Sequence, residues 1–309
     1  MIYSSKKIIL TSGSLSTSNV FLLSAAKEYD YKIIKIQHGG YEGYVEEQPL
    51  NEEMEYITSD VYLTWGWRKI SNKKNFKRTK FLPLPSPWLS ERKEYFKKFL
   101  MKTNSKAPKI LYMTSKLTSF RSSPYGINNT VMSDQKISIK IFHEILNILN
   151  KNKYKTDCKF FDIESYHGYN KFINFQNNNF KFIKFLKNFN KGLEPKLLLE
   201  YDLILWDLPG TGFLECIACD IPTILFNDQS VMKHNHFSQI FFKELEHVGV
   251  FCKSFLDLKN CLSNFFLNKN VWFECNQRKK AIKKFKNEYA RVDTNWWEVW
   301  RKELKDLSQ

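Results

Sequence analysis

Short, continuous apolar runs edged by small or polar residues recur through most of the chain. They are Lys7 to Thr11 (KIILT), Tyr31 to Gln37 (YKIIKIQ), Val61 to Trp65, Phe81 to Leu84, Lys109 to Thr114 (KILYMT), Leu203 to Trp206 and Thr223 to Phe226, and residues 156–162 are expected to form a further strand. Runs this short, with no alternation, predict strands covered on both faces, as in parallel sheets. Helical patterns lie between them: around Asn19 to Glu28, in the charged amphipathic stretch Ser90 to Met101, and over Asp134 to Asn150, where Ile137, Ile141, Ile145 and Ile148 share one face. Residues 171–189 fit either a helix or a strand-containing segment. Helices close the chain near 237–247, 255–267 and 271–290, and a tail helix carries Trp296, Trp297 and Trp300. Strand–helix alternation predicts an α/β protein. Thr103 to Pro108 reads as a linker. Two halves are therefore expected: a short amino-terminal α/β unit, 1–102, with three or four strands, and a fuller carboxyl-terminal α/β unit, 103–309, closed by the last helices.

The segment Tyr201 to Phe226 (YDLILWDLPGTGFLECIACDIPTILF) is the most informative. A buried strand enters the turn Asp207-Leu208-Pro209-Gly210-Thr211-Gly212, a short helix spans Phe213 to Cys219, and Asp220 and Pro222 end it before the next strand. This is a compact βαβ unit, which requires parallel strands. The Gly210-Thr211-Gly212 turn aims the first helical N–H groups at whatever lies above the strand's carboxyl end, a position suited to a phosphate or ribose. Glu215, about one turn in, is placed to reach back to a hydroxyl-rich ligand. A glycine turn that only eases packing accounts for the same residues, so a ligand crevice lined by Asp207 to Glu215 is an expectation.

A second constellation is Gln37-His38-Gly39-Gly40-Tyr41-Glu42-Gly43, an imidazole on a glycine-rich loop at the carboxyl end of a strand. α/β enzymes place reactive groups there. His38 suits proton abstraction from a hydroxyl near neutral pH, or phosphate binding when charged. A turn histidine bonded to backbone is the plainer alternative. Glu42, Glu46 and Glu47 follow closely, so one of them either orients the imidazole or acts as base itself, or all are solvated.

The chain has 309 residues, 43% hydrophobic and 16% aromatic, which excludes a disordered protein. Its six cysteines show no paired spacing of a secreted scaffold, so a reducing cytoplasm is expected. Cys216-x-x-Cys219 lacks a second pair at zinc spacing. A formal charge of +16 calls for an acidic partner. With no zinc finger, RNA-recognition signature or helix-turn-helix, an anionic membrane surface is favoured over nucleic acid. No run of 18 apolar residues and no signal peptide is seen, so contact with a membrane would be peripheral. His234-x-His236 near Asp228 reads as a metal pair or, more simply, as structural histidines.

The order of residues in the βαβ segment resembles the donor-nucleotide site of GT-B glycosyltransferases, in the alignment of Gly210, Thr211, Gly212, Glu215 and Ile221-Pro222-Thr223. Asp220 stands where that family has Gly; Asp also tolerates the left-handed conformation a helix C-cap needs. The His38-Gly39-Gly40 loop resembles one in bacterial surface-polysaccharide and polyol-phosphate transferases. Ser59-Asp60-Val61-Tyr62-Leu63-Thr64-Trp65-Gly66-Trp67, Val248 to Phe251, Val271-Trp272 and Gln277 to Trp297 are similar to the surface-carbohydrate group. The resemblance implies two Rossmann-like domains facing a cleft, the first reduced. It implies a metal-independent glycosyltransferase with no cofactor, working peripherally at the cytoplasmic face of the membrane on a nucleotide-sugar donor and a polysaccharide or lipid-linked acceptor. Transfer of a polyol phosphate from a CDP-linked donor, and a non-catalytic binding partner, are the rivals. His38 and Glu42 are the implied catalytic residues. Gly39, Gly40, Arg121, Lys159, Gly210, Thr211, Gly212 and Glu215 are the implied donor contacts, with Arg121, Lys159 or His167 supplying positive charge. Lys159 stands where related proteins carry Arg, which grips phosphate bidentately. Trp65 and Trp67 read as core residues before acceptor-stacking ones.

Overall fold

The computed structural model describes residues 7–12, 17–46, 52–70, 78–98, 108–117, 135–175, 179–187, 189, 194–228 and 232–308. Two sheets organise them, and every strand pairing is parallel. The first sheet runs β1 (Ile8–Ser12), β2 (Lys32–Ile36), β3 (Val61–Thr64), β4 (Lys80–Pro83), in that spatial order. Helix α1 (Thr17–Glu28) joins the first two strands, and α2 (Pro87–Lys97) follows the last.

The second sheet contains β5 (Ile110–Met113), β6 (Thr156–Lys159), β7 (Ile183–Leu186), β8 (Leu203–Trp206), β9 (Thr223–Phe226) and β10 (Phe251–Cys252). Their spatial order is β10-β9-β8-β5-β6-β7. The chain starts in the middle, winds outward one way and then returns to wind the other, as in a doubly wound nucleotide-binding sheet. The order reverses between β5 and β8, which is where such sheets open a crevice at their carboxyl ends. Strands β5, β6, β8 and β9 are buried at every position; β5, β8 and β9 are the uninterrupted apolar runs such burial favours, whereas β6 (Thr156-Asp157-Cys158-Lys159) buries polar side chains.

The helices of this half are α3 (Gln135–Lys151), α4 (Ile163–Ile173), α5 (Pro195–Leu199), α6 (Thr211–Ala218), α7 (Gln239–His247), α8 (Phe255–Leu267), α9 (Lys269–Glu274) and α10 (Asn276–Tyr289). Residues 171–189, ambiguous in sequence, hold the end of α4 and the edge strand β7. The helix expected over 271–290 is two helices broken at Cys275. The short β10 and α5 were not expected, because a two-residue strand and a five-residue helix leave no period to read.

One boundary differs from the sequence division. The tail helix α11 (Trp296–Ser308) packs on the first sheet, not the second. Trp300 and Leu307 form one apolar cluster with Ile34, Val61, Leu63 and Leu84, and the Trp300 indole donates to the Pro85 carbonyl at 2.8 Å. The amino-terminal sheet is too small to cover both of its faces, and the chain's end returns to complete it. The helix cap at Asp220 agrees with expectation, its φ of 58° lying in the left-handed region.

Candidate active site

Three carbonyl and amide bonds from Gln37 fix the start of the histidine loop. Its Oε1 accepts from the Trp65 backbone N–H (2.7 Å) and the Trp67 indole (2.8 Å), and its Nε2 donates to the Gly39 carbonyl (2.7 Å). Trp65 and Trp67 are both buried, so they hold the loop and present no stacking face. Gly43, at φ 84°, turns the chain where any side chain would overlap the Trp67 ring.

The loop brings His38 to two buried carboxylates. His38 Nδ1 lies 3.5 Å from Glu42 Oε1 and 3.5 Å from Glu55 Oε2. Tyr62, on β3, donates to Glu42 Oε2 at 2.5 Å and also lies 3.0 Å from Glu55 Oε2; the Gly39 N–H donates to Glu42 Oε1 at 2.9 Å. Both glutamates are sealed from solvent, whereas the His38 side chain keeps 30% of its surface. Burial pushes the Glu42 carboxyl up to about 7, against the pull of His38 and Tyr62. The Glu55 hydrogen bond and the charges of Glu42 and Glu55 raise His38 above its ordinary value, outweighing its partial burial. With Nδ1 turned to the carboxylates, Nε2 is the ring nitrogen they do not engage. Glu55 escaped the sequence reading because it sits on a single π-turn, Glu52–Tyr56, with no period and no motif. Glu46 is exposed, and Glu47 lies outside the described residues.

The second half contributes a cavity of about 460 Å³ at the carboxyl ends of β5, β6 and β8. Its walls are Met113 to Lys116 after β5, Lys159 to Phe161 at β6, and Asp207 to Gly212 after β8. Helix α6 begins here behind Gly210, whose N-cap position offers no side chain to the first N–H groups. Gly210 has extended backbone, and a Cβ there would meet nothing within 4 Å, so its glycine is not demanded by packing. The Thr114 hydroxyl is buried in this wall and has no hydrogen-bond partner among the described residues. Asp207 is buried and pushed up to about 7 by desolvation, while accepting from Tyr112 Oη (2.7 Å) and the Ser115 N–H (2.6 Å). Burial lowers the Lys159 ammonium from its usual value, with Glu194 opposing. Lys116, which the sequence reading missed, joins it in the wall.

The two constellations meet. A Cβ on Gly40 would overlap the Thr211 backbone, so the histidine loop rests directly on the Gly-Thr-Gly turn, and Tyr41 enters the cavity wall. The loop is also strapped to the segment after β9. Asn235 Nδ2 donates to the Gly43 carbonyl (2.7 Å), Ser238 Oγ to the Tyr44 carbonyl (2.8 Å), and Val45 bridges His234. His234 stacks on Phe242 with ring centres 3.5 Å apart, and burial lowers it to about 3. It is a neutral structural residue, and His236 is exposed. Burial drives the Cys216 and Cys219 thiols upward, the latter to about 12, which removes thiolate chemistry near neutral pH.

Two expected donor contacts fall elsewhere. Glu215 is outside the cavity wall. It accepts from Arg92 of α2, at 2.5 Å from Nε and again from the terminal guanidinium nitrogen, so it links the two halves. A carboxylate so buried takes the nearest cation, and α2 presents one. His167 is exposed on α4, and Arg121 lies outside the described residues.

A glycosyltransferase from Rickettsia africae ESF-5 has a similar structure: TM-score 0.52 and 14% identity, covering 97% of this chain and 75% of that one. The UDP-GlcNAc 2-epimerase of Methanocaldococcus jannaschii, solved with UDP-GlcNAc and UDP, gives a TM-score of 0.50 at 13% identity over 90% of this chain and 75% of its own. The UDP-N-acetylglucosamine 2-epimerase from Rickettsia bellii also gives 0.50, at 13% identity over 90% of this chain and 72% of its own. These similarities place the fold as the two-domain Rossmann-like GT-B type. No curated protein sequence matches. Residues 1–304 match the model of the LIC12162 family transferase, and the chain belongs to that family.

Proposed function

We propose that this LIC12162-family transferase is a glycosyltransferase, moving a sugar from a nucleotide-sugar donor to a surface-polysaccharide or lipid-linked acceptor. The observation that carries this reading is the seating of the Gly40 backbone on Thr211, which joins a histidine with buried carboxylates to an uncapped helix N-terminus above an open cavity. The donor diphosphate lies against the N–H groups of Thr211 and Gly212, with Lys116 and Lys159 supplying positive charge. His38 Nε2 takes the proton of the acceptor hydroxyl. The acceptor oxygen bonds to the anomeric carbon as the bond to the donor phosphate breaks, and the nucleoside diphosphate leaves with that electron pair. Glu42 and Glu55 orient the imidazole and stabilise its charge. The buried Thr114 hydroxyl is available to the nucleotide.

Calorimetric titration with UDP-, GDP-, dTDP-, CDP- and CMP-sugars tests this reading, with UDP-sugars first because the similar epimerase binds UDP-GlcNAc. Binding of none would leave a non-catalytic partner as the better account. CDP-glycerol in the same panel decides between sugar and polyol-phosphate transfer. Gly210→Val is expected to fold normally, since nothing lies within 4 Å of its Cβ, and to weaken donor binding by filling cavity space. An unchanged affinity in the folded variant would move the donor elsewhere.

No helix among the described residues is long and apolar enough to cross a membrane. The net charge of +16 supports peripheral, electrostatic attachment to an anionic membrane face. Sedimentation with anionic vesicles should then fall as salt rises, because screening sets in over roughly 8–10 Å. Retention in about 1 M salt, where the screening length falls to ~3 Å, would require a hydrophobic anchor instead.

A further inference from the structure

Behind α6, on the side away from the histidine loop, lies a second cavity of about 510 Å³. It is a seam between the two halves, lined by Lys93 from α2 and by residues of α6, α9 and α10. Among the described residues that line it the charge is one-sided: Lys93, Arg278, Lys279, Lys283 and Lys286 face a single carboxylate, Asp220. That carboxylate is itself 54% exposed and already shared, with Lys286 Nζ at 2.5 Å and Lys93 Nζ at 3.7 Å. Two lysines converge on one half-solvated anion. Burial, and next the neighbouring Lys286, lower the Lys93 ammonium from its usual value. Such an unbalanced cluster is favoured when an anion enters.

The floor is apolar. Ile217, Ile221 and Trp272 are buried there, Ile282 half-buried, and the Arg278 guanidinium lies 4.2 Å from the Trp272 ring centre. Arg278 is pinned by bonds to the Val248 and Trp272 carbonyls, so this wall is preformed. A concave apolar floor with converging charged groups is the general form of a small-ligand site.

We propose that this cavity is a second binding site, for a ligand that presents a phosphate or phosphodiester to the lysines and lays a compact apolar body on the Trp272 floor. Because Lys93 comes from one half and Lys283 and Lys286 from the other, an occupant bridges the two halves beside the Arg92–Glu215 link. The same chemistry is offered by a soluble phosphorylated metabolite and by a phospholipid headgroup.

The test uses the full chain and the double variant Lys93→Gln/Lys283→Gln, which removes two cations and leaves the Lys286–Asp220 pair intact. Calorimetry with phenyl phosphate should show binding to the parent chain, tighter than that of inorganic phosphate. The double variant should lose roughly tenfold or more in affinity, the scale of one lost charge-assisted contact, with its melting temperature unchanged. Gly210→Val, which alters only the donor cavity, should bind phenyl phosphate as the parent does. Vesicles of phosphatidylcholine with and without phosphatidylglycerol separate the sources. If the double variant also loses phosphatidylglycerol-dependent sedimentation, the ligand is a lipid headgroup; if it sediments as the parent does, the ligand is soluble. Equal binding of phenyl phosphate to the double variant and the parent overturns the proposal, as does loss of that binding in Gly210→Val alone. Absence of any phenyl phosphate binding by the parent, with vesicle binding insensitive to the double variant, overturns it equally.

Discussion

His38→Ala is expected to lower turnover roughly 10²–10⁴-fold while donor affinity changes little, the signature of a lost general base. His38→Gln should be nearly as inactive, because the amide keeps a hydrogen bond but cannot take a proton. The pH dependence adds a second readout. A base must be neutral to act, and Glu55 and Glu42 raise the His38 pKa above the ordinary value of 6.5. Turnover should therefore fall as pH drops through a point above 6.5, not at or below it. Glu55→Gln removes the leading cause of the shift, so its acidic limb should move to lower pH. Steady-state rates of the parent and Glu55→Gln across pH decide this. A limb that stays in place in Glu55→Gln would show that His38 does not set it. Weakened donor binding in both His38 variants, with the limb retained, would make His38 a phosphate ligand. Near-normal turnover in folded His38→Ala would shift the base to Glu42.

Most of the second sheet was legible because its inner strands β5, β8 and β9 are unbroken apolar runs, a signal that survives without tertiary information, whereas β6 carries Thr156, Asp157 and Lys159. The crevice was legible for the same reason: Asp207 to Gly212 sit where a strand stops and a helix starts, and backbone geometry alone decides which way those N–H groups point. What escaped was everything set by contact across the chain. Glu55 joins His38 only because β2 and β3 are neighbours and a π-turn precedes the second of them. The tail helix belongs with the first sheet because that sheet lacks its own cover, a deficit of area that no local pattern records. Glu215 illustrates the limit most clearly. Its place about one turn into α6 was legible, but its partner is Arg92, 123 residues away in sequence.

Arg92→Ala is expected to destabilise the protein by about 3 kcal/mol, the usual cost of stranding one member of a buried ion pair. Arg92 and Glu215 keep only 14% and 3% of their side-chain surface, so water cannot replace the lost guanidinium. Burial already raises the Glu215 carboxyl, with Arg92 holding it down. Without Arg92 the folded-state pKa rises further above the unfolded value. An acid raised in this way binds more protons folded than unfolded, so the variant's stability should fall as pH rises from the unfolded carboxylate range towards the folded pKa. The parent should show less of that slope. Arg92→Ala/Glu215→Gln should recover most of the loss, because a neutral amide costs far less to bury alone. Denaturant melts of the parent and the two variants at acidic and neutral pH measure this. Equal stability of Arg92→Ala and the parent would show that the link bears no load between the halves. Donor titration distinguishes the donor contact implied by the sequence resemblance: that role requires Glu215→Gln to lose donor affinity while Arg92→Ala keeps it. If instead the pair acts as a clamp, both variants should bind donor alike once compared at conditions where each is folded.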